Sequence, residues 1–273
     1  MAARVLWVIK GLGPGGAERL LVAAAQAHDR THFQIECAYV LPWKDHLAGE
    51  LESAGVRCTC VHPRRRDWRW PWRLRQLIAE GGFDIVHVHS PLPGSVVRLA
   101  VATPPKAKRP VVMSTEHNSW GTFAAPTRWL NRLTGRRDAA VFAVTDEVRA
   151  SMRGPAAAKT QTLVHGIDVA RVAQARRDRA AVRTELGLAP DELVAGTVAN
   201  YREQKDYPNL LGAARLLADR GVPVRFVAVG QGPMAAEVEA LRDSLGLADR
   251  VILTGFRPDA VRVMAACDVF TMA

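Results

Sequence analysis

The stretch Gly11-Leu12-Gly13-Pro14-Gly15-Gly16-Ala17-Glu18-Arg19-Leu20-Leu21 constrains this chain more than any other. It follows the apolar run from Val5 to Ile9 and opens a segment rich in Ala and Leu. That order reads as strand, glycine loop, helix. Glycine has no Cβ and tolerates positive φ, so its backbone can come close to a ligand. The helix behind the loop offers unpaired N–H groups and a positive dipole end, which suit a phosphate. The plain alternative is a tight turn with no ligand.

The pattern then repeats. Val-rich runs expected as strands cover 4–9, 33–41, 56–61, 83–89, 111–115, 139–145 and 160–164. Amphipathic helices are expected over 17–28, 47–54, 72–80, 94–102, 127–133 and 146–152. Short strands with both faces apolar fit a parallel, doubly wound α/β sheet. An Arg-rich helical stretch over 169–185 ends at Leu186-Gly187-Leu188-Ala189-Pro190 and reads as a crossing between domains. A second series follows, with strands at 193–199, 224–229, 251–254 and 268–272 and helices at 208–219, 235–245 and 260–265. The expected division is an acceptor-side domain over 1–168, a crossing over 169–190 and a nucleotide-binding domain over 191–273. The last strand would leave an apolar edge, which folded proteins avoid. The second domain is therefore expected to be incomplete and the chain a fragment.

Composition narrows the partners. The net charge is +10 over 273 residues, which favours an anionic partner such as nucleic acid, an acidic membrane face or a phosphorylated small molecule. Arg dominates the basic residues, so compositional bias explains part of the excess. The four cysteines show no Cys-x-x-Cys or Cys/His metal spacing, and buried free thiols in a reducing compartment are expected. The start of the chain is too short in apolar residues for a signal peptide, and no run reaches membrane-span length. A cytoplasmic protein able to touch a membrane surface is expected.

Gly11, Gly13 and Gly16 also satisfy a dinucleotide fingerprint, which needs an acid at the end of the second strand for the ribose. That strand ends in Val40-Leu41-Pro42-Trp43, and Glu36 sits mid-strand. Pro14 removes an N–H that a phosphate cradle could use. An NAD(P)-binding oxidoreductase thus loses its second leg but stays open. His62 to Arg75 interleaves Arg with Trp. Such a segment can stack on nucleic-acid bases or place Trp in the headgroup layer and Arg on phosphates of an anionic bilayer. It can equally be a basic loop leading into a helix whose tryptophans pack inward. A nucleic-acid-binding module is the third open class, with no recognised nucleic-acid fold to support it.

The motif Gly-Pro-Gly-Gly-Ala-Glu-Arg followed by leucines resembles the family-4 retaining glycosyltransferases, which have two Rossmann-like domains facing each other across a cleft, the GT-B arrangement. The resemblance recurs down the chain: Asp84-Ile85-Val86-His87-Val88-His89-Ser90, Ser114-Thr115-Glu116-His117-Asn118, Val144-Thr145-Asp146-Glu147-Val148, His165-Gly166-Ile167-Asp168 (the family has Asn at its first place), Asn200-Tyr201-Arg202-Glu203-Gln204-Lys205-Asp206 (similar to G-R-L-x-x-Q-K-G), Gly230-Gln231-Gly232-Pro233 and Gly255-Phe256-Arg257.

The resemblance implies a sugar transfer from a UDP- or GDP-linked donor to a saccharide or lipid-linked acceptor, with retention and without metal. It implies donor-diphosphate contacts at Gly15, Gly16, Arg202 and Lys205, with Arg202 compensating for Asn200 where the family has Arg. Nucleotide contacts fall on Asn200, Gly230, Gly232, Phe256 and Arg257. His117 would lie near the transferred sugar, between Glu116 and Asn118 on the acceptor side. A paired-Glu donor motif, which the family carries further on, falls after Ala273, so little turnover is expected of these 273 residues alone. Taken without the resemblance, Arg202 and Lys205 read as solvated loop charges, His117 as a strand-end His satisfied by backbone, and His87 and His89 as a same-face pair lacking a third metal ligand. The peripheral membrane contact would be made through His62–Arg75, and no nucleic-acid partner is expected.

Overall fold

The computed structural model describes residues 2–62, 68–102 and 109–272. Two compact units divide between Ile167 and Asp168. In the first unit the order is β1 (Ala3–Ile9), α1 (Gly16–Ala27), β2 (Phe33–Tyr39), α2 (Ala48–Ser53), β3 (Arg57–Cys60), α3 (Trp70–Gly81) and β4 (Ile85–Val88). It continues with α4 (Pro91–Ala100), β5 (Val111–Glu116), α5 (Ala125–Thr134), β6 (Ala140–Ala143), α6 (Asp146–Ser151) and β7 (Thr160–Thr162). The strands form one sheet in the order β3-β2-β1-β4-β5-β6-β7, and every pairing is parallel.

The period of two along β1 explains why the sheet is covered on both faces. Val5, Trp7 and Ile9 enter one core with Leu21, Val22 and Leu51. Leu6 and Val8 enter the other, with Leu74, Ile78 and Val97. Such alternation with apolar residues on both sides leaves no polar face for solvent.

The second unit holds α7 (Val169–Ala175), α8 (Arg179–Glu185), β8 (Leu193–Val198), α9 (Tyr207–Asp219), β9 (Val224–Val229), α10 (Ala235–Ser244), β10 (Val251–Gly255), α11 (Ala260–Met264) and β11 (Val269–Phe270). Its smaller parallel sheet runs β10-β9-β8-β11. Again one strand serves two cores: Phe226 and Ala228 pack with Leu211 and Leu247, while Val227 and Val229 pack with Val194 and Val263.

The elements expected from the sequence are present, with small displacements at their ends. Helix α4 starts at Pro91 rather than Gly94, because proline fits the first helical turn, where its missing N–H has no intrahelical partner to lose. The Arg-rich stretch is not one helix: a 3-10 turn at Arg176–Asp178 separates α7 from α8. It groups with the second unit, where Arg183 and Arg179 both bind Asp268 and Arg183 also donates to the Ala266 carbonyl. Of the four free cysteines only Cys37 is fully buried.

Candidate functional site

In an open parallel sheet the ligand crevice lies outside the carboxyl ends of the strands, where the strand order reverses. In the first unit that point lies between β1 and β4, and the glycine loop follows β1. Leu12, fully buried, anchors the loop by donating to the Lys44 carbonyl and accepting from Leu47 N–H. None of Gly11, Gly13, Gly15 and Gly16 has positive φ, so conformation is not why they are glycine. A Cβ on Gly11 would stand 2.8 Å from the Lys44 Cβ. A Cβ on Gly15, which precedes α1, would meet the Glu18 carboxylate. A Cβ on Gly16 would meet nothing within 4 Å beyond its own helix backbone and chain neighbours. The N-terminus of α1 is therefore open at Gly16, while Glu18 covers Gly15. Glu36 is tied to Arg4 at 2.9 Å, pairs in register with Leu6 and so stands back from the carboxyl end where a ribose would need it.

The ends of β4, β5 and β7 bring four imidazoles into a row, which sequence reading placed in separate motifs. The His87 and His89 rings lie 4.2 Å apart, His89 and His117 5.5 Å, and His117 stacks on His165 at 5.7 Å and 9°. His89 Nδ1 is 3.2 Å from His117 Nε2, and His87 Nε2 is 2.8 Å from Thr115 Oγ1. Burial, reinforced by the neighbouring imidazoles, holds His87 and His117 down at about 4 and His89 well below the usual imidazole value. Burial lowers His165 as well. The row is therefore neutral at pH 7. Among the described residues no three His, Cys, Asp or Glu side chains are placed to hold a metal ion.

Glu116 requires a correction. It was expected on the acceptor side, but it is 4% exposed and its carboxylate accepts from Asn131 Nδ2 at 2.8 Å. Burial raises its pKa. The side chain alternates inward from β5 and joins a buried network rather than the crevice. Asn118, two residues on, is exposed, and His117 between them is half-buried.

In the second unit the loops after β8, β9 and β10 converge. A Cβ on Gly230 would lie 1.9 Å from the Ala199 carbonyl oxygen, and one on Gly232 2.2 Å from that of Tyr201. These glycines are thus required by the close approach of the loop after β8, which they hold with the bonds Tyr201 N–H to Gln231 and Met234 N–H to Tyr201. Tyr201 and Tyr207 pack edge to face beneath it, and Tyr207 Oη donates to the Ala199 carbonyl. On this seat Asn200 is half-buried, Arg202 exposed and Lys205 half-buried. Neither the Arg202 nor the Lys205 side chain has a hydrogen-bond or ion-pair partner among the described residues. Lys205 is followed by Asp206 in the left-handed region at φ 37°, where the resembled motif has Gly. Asp206 caps α9 through a long 3.4 Å bond from Asn209 N–H.

Arg257 also departs from expectation. Its guanidinium is already engaged by Asp259 at 2.8 Å twice and by Glu185 at 2.5 Å. Each of its three nitrogens already donates to a carboxylate within the second unit, which holds the guanidinium there as a structural cation. Phe256 beside it remains 46% exposed.

The Arg/Trp segment falls partly on residues 63–67, which lie outside the described residues. Within the described part, Trp70 packs into the core beside Leu74, while Trp68 and Trp72 are 80% and 60% exposed. Trp70 therefore packs inward, as the plain alternative expects, while Trp68 and Trp72 face solvent. The helix expected over 127–133 is α5, but sequence reading did not single out its surface, where Trp129 and Leu133 are exposed one turn apart beside exposed Arg128 and Arg132. The signal was there as an i, i+4 pair of each kind. Helix α4 packs between α3 and α5. No described helix is long and apolar enough to cross a membrane.

Two parallel α/β units, with loops converging at the carboxyl ends of their strands, define the class of protein by its fold, which is GT-B. The chain belongs to glycosyltransferase family 4, whose description matches residues 14–171, and residues 178–273 match "Glycosyl transferases group 1". It is 28% identical to the Bacillus subtilis (strain 168) protein EpsF over 98% of this chain and 72% of that one. It is 29% identical to a Streptomyces kanamyceticus 2-deoxystreptamine glucosyltransferase over 80% of this chain and 57% of the relative. Anabaena HepE, solved with UDP and glucose, superposes with a TM-score of 0.82 at 18% identity, over 98% of this chain and 73% of that chain. That last likeness speaks for the fold.

Proposed function

We propose that this chain binds a nucleotide-diphosphate sugar, UDP- or GDP-linked, and moves the sugar to a saccharide or lipid-linked acceptor with retention of configuration. The observation that carries the reading is a pair of cations with no partner among the described residues, Arg202 and Lys205, on a loop seated against Gly230 and Gly232. Cations fixed on a diphosphate offset the charge that builds as the nucleoside diphosphate leaves, so no metal is needed for that task. Asn200, Gly230, Gly232 and Phe256 line the nucleotide side. Taken by itself, the first unit offers Gly16 at the open N-terminus of α1 to an anionic oxygen, His117 to a sugar hydroxyl and Asn118 to an acceptor. HepE, of the same fold, has been solved with UDP-glucose, which supports the donor class.

Calorimetric titration of the 273-residue chain with UDP- and GDP-sugars, NAD, NADP and an oligonucleotide tests this. Binding of a nucleotide sugar that Lys205→Ala weakens at least tenfold is expected. Tight NAD(P) or salt-sensitive oligonucleotide binding alone would sink the reading.

For the acceptor we propose a lipid-linked saccharide on the cytoplasmic membrane face. Exposed Trp68, Trp72 and Trp129 flanked by Arg suit headgroups of an anionic bilayer. Co-sedimentation with phosphatidylglycerol vesicles, lost at high salt and reduced by Trp72→Ala, is expected. Equal recovery with neutral vesicles would count against it.

A further inference from the structure

The His89–His117 contact fixes more than a distance. An imidazole pair joined nitrogen to nitrogen shares one proton, so one ring donates and the other accepts. Burial keeps both rings neutral, so each carries a single N–H. Two arrangements are then available. If His117 Nε2–H donates to His89 Nδ1, the proton of His89 must sit on its Nε2. That atom is shut off from solvent and has no hydrogen-bond partner among the described residues. The arrangement would bury an unpaired N–H donor. If His89 Nδ1–H donates to His117 Nε2, the buried His89 Nε2 carries only a lone pair. Orphaned buried donors are rarer in folded proteins than under-satisfied acceptors, so the second arrangement prevails.

The surroundings of His89 hold it to that role. The Trp7 ring meets it edge-on at 6.2 Å and His87 covers it at 4.2 Å. The ring is thus wedged between the first and fourth strands, with its Nδ1 side toward His117 and its Nε2 side in the packed interior. His117 in turn lies flat on His165.

We propose that His89 is a positioning residue that fixes His117 as the Nδ1–H tautomer, so that His117 turns a hydrogen-bond donor, and no free basic nitrogen, toward whatever binds at the carboxyl end of β5. The partner it selects is an oxygen acceptor: a sugar hydroxyl through its lone pair, or an anionic oxygen. His117 does not serve as a general base, because its only lone pair is occupied by His89. That this partner belongs to a sugar substrate rests on the function proposed above; the tautomer itself does not.

The test is a long-range proton–nitrogen correlation spectrum of the unliganded 273-residue chain, with ¹⁵N-labelled histidine, at pH 7.5. Both His89 and His117 are expected to show a protonated Nδ1 and an unprotonated Nε2. His89→Leu is expected to move His117 to the Nε2–H form that free imidazole prefers. His89→Asn, whose side-chain amide carries N–H near the same position, is expected to restore Nδ1–H. His117 found as Nε2–H in the unmodified chain would overturn the proposal, and so would an unchanged His117 in a folded His89→Leu variant. Should that variant fail to fold, the unmodified chain and His89→Asn decide the matter by the same signals. No nucleotide sugar is present, so a chain that bound none would remove the proposed function and leave this result standing.

Discussion

The Arg98 guanidinium on α4 grips the Asp138 carboxylate with two parallel bonds, of 2.7 and 2.6 Å, and the two side chains are 2% and 0% exposed. Around them Arg98 also donates to Asn131, Ser114 donates to Asp138, and Asn131 donates to Glu116. The pair sits between α4, α5 and the edge of β6, under the strand end that carries His117. A buried pair of this kind returns little over an apolar filling, but removing one partner leaves a lone charge in the interior. Arg98→Met and Asp138→Asn are each expected to cost about 3–5 kcal/mol, read as a lower urea midpoint, and to loosen β5 at Glu116.

Acid should unfold this chain through its histidines before its carboxylates. His87 and His117 are held at about 4, below the usual imidazole value near 6.5. Above pH 6.5 they are neutral in both states and cost nothing. As pH falls from 6.5 toward 4 the unfolded chain takes up protons that the folded chain refuses, so stability drops over that window. The loss approaches about 3 kcal/mol for each of the two. Asp259, held near 2 by Arg257, remains charged throughout. Thermal midpoints at intervals from pH 7.5 to 4.5 should fall steadily, and His87→Gln should flatten the slope; an unchanged midpoint down to pH 4.5 would refute the assignment.

The glycines of the two units should part company under substitution. Gly16 opens α1, has no positive φ and leaves open space where a Cβ would go, so Gly16→Ala should leave the melting temperature unchanged or raise it, since Ala gains up to about 1 kcal/mol over Gly in a helix. It should at the same time weaken nucleotide-sugar binding by filling the approach to α1. Gly232→Ala drives a Cβ onto a backbone carbonyl and should lower both stability and binding. Calorimetric melts and titrations on the two variants separate these effects.

Asp206 occupies a left-handed backbone that costs a non-glycine residue about 1 kcal/mol, in exchange for a weak cap. Asp206→Gly should be neutral or stabilising by up to about 1 kcal/mol, because glycine loses only a few tenths as a cap. Asp206→Ala keeps the strain and loses the cap, and should destabilise by about 1 kcal/mol. Urea midpoints of the two variants should therefore move in opposite directions or differ clearly in size.

The sequence alone determined the order of elements and both sheets, because strand and helix periods and their glycine and proline punctuation are local properties. Val5 through Ile9 shows two apolar faces before any partner is known, and the motifs ending β1, β4, β5 and β8 announce the family. Which polar side chains are free was decided only by the tertiary structure. Glu116 and Arg257 sit in matched motifs as His117 and Lys205 do. Yet Asn131 draws the one into the interior, and Asp259 with Glu185 ties down the other. Asn131 lies on α5 and Glu185 on α8, and spacing along the chain carries no record of either; only Asp259, two residues past Arg257, is a local partner. The glycine loop shows the same division. Its composition was legible as an invitation to an anion, but the packing around it left Gly16 open and put Glu18 over Gly15, because occupied space is a property of neighbours that meet only when the chain folds.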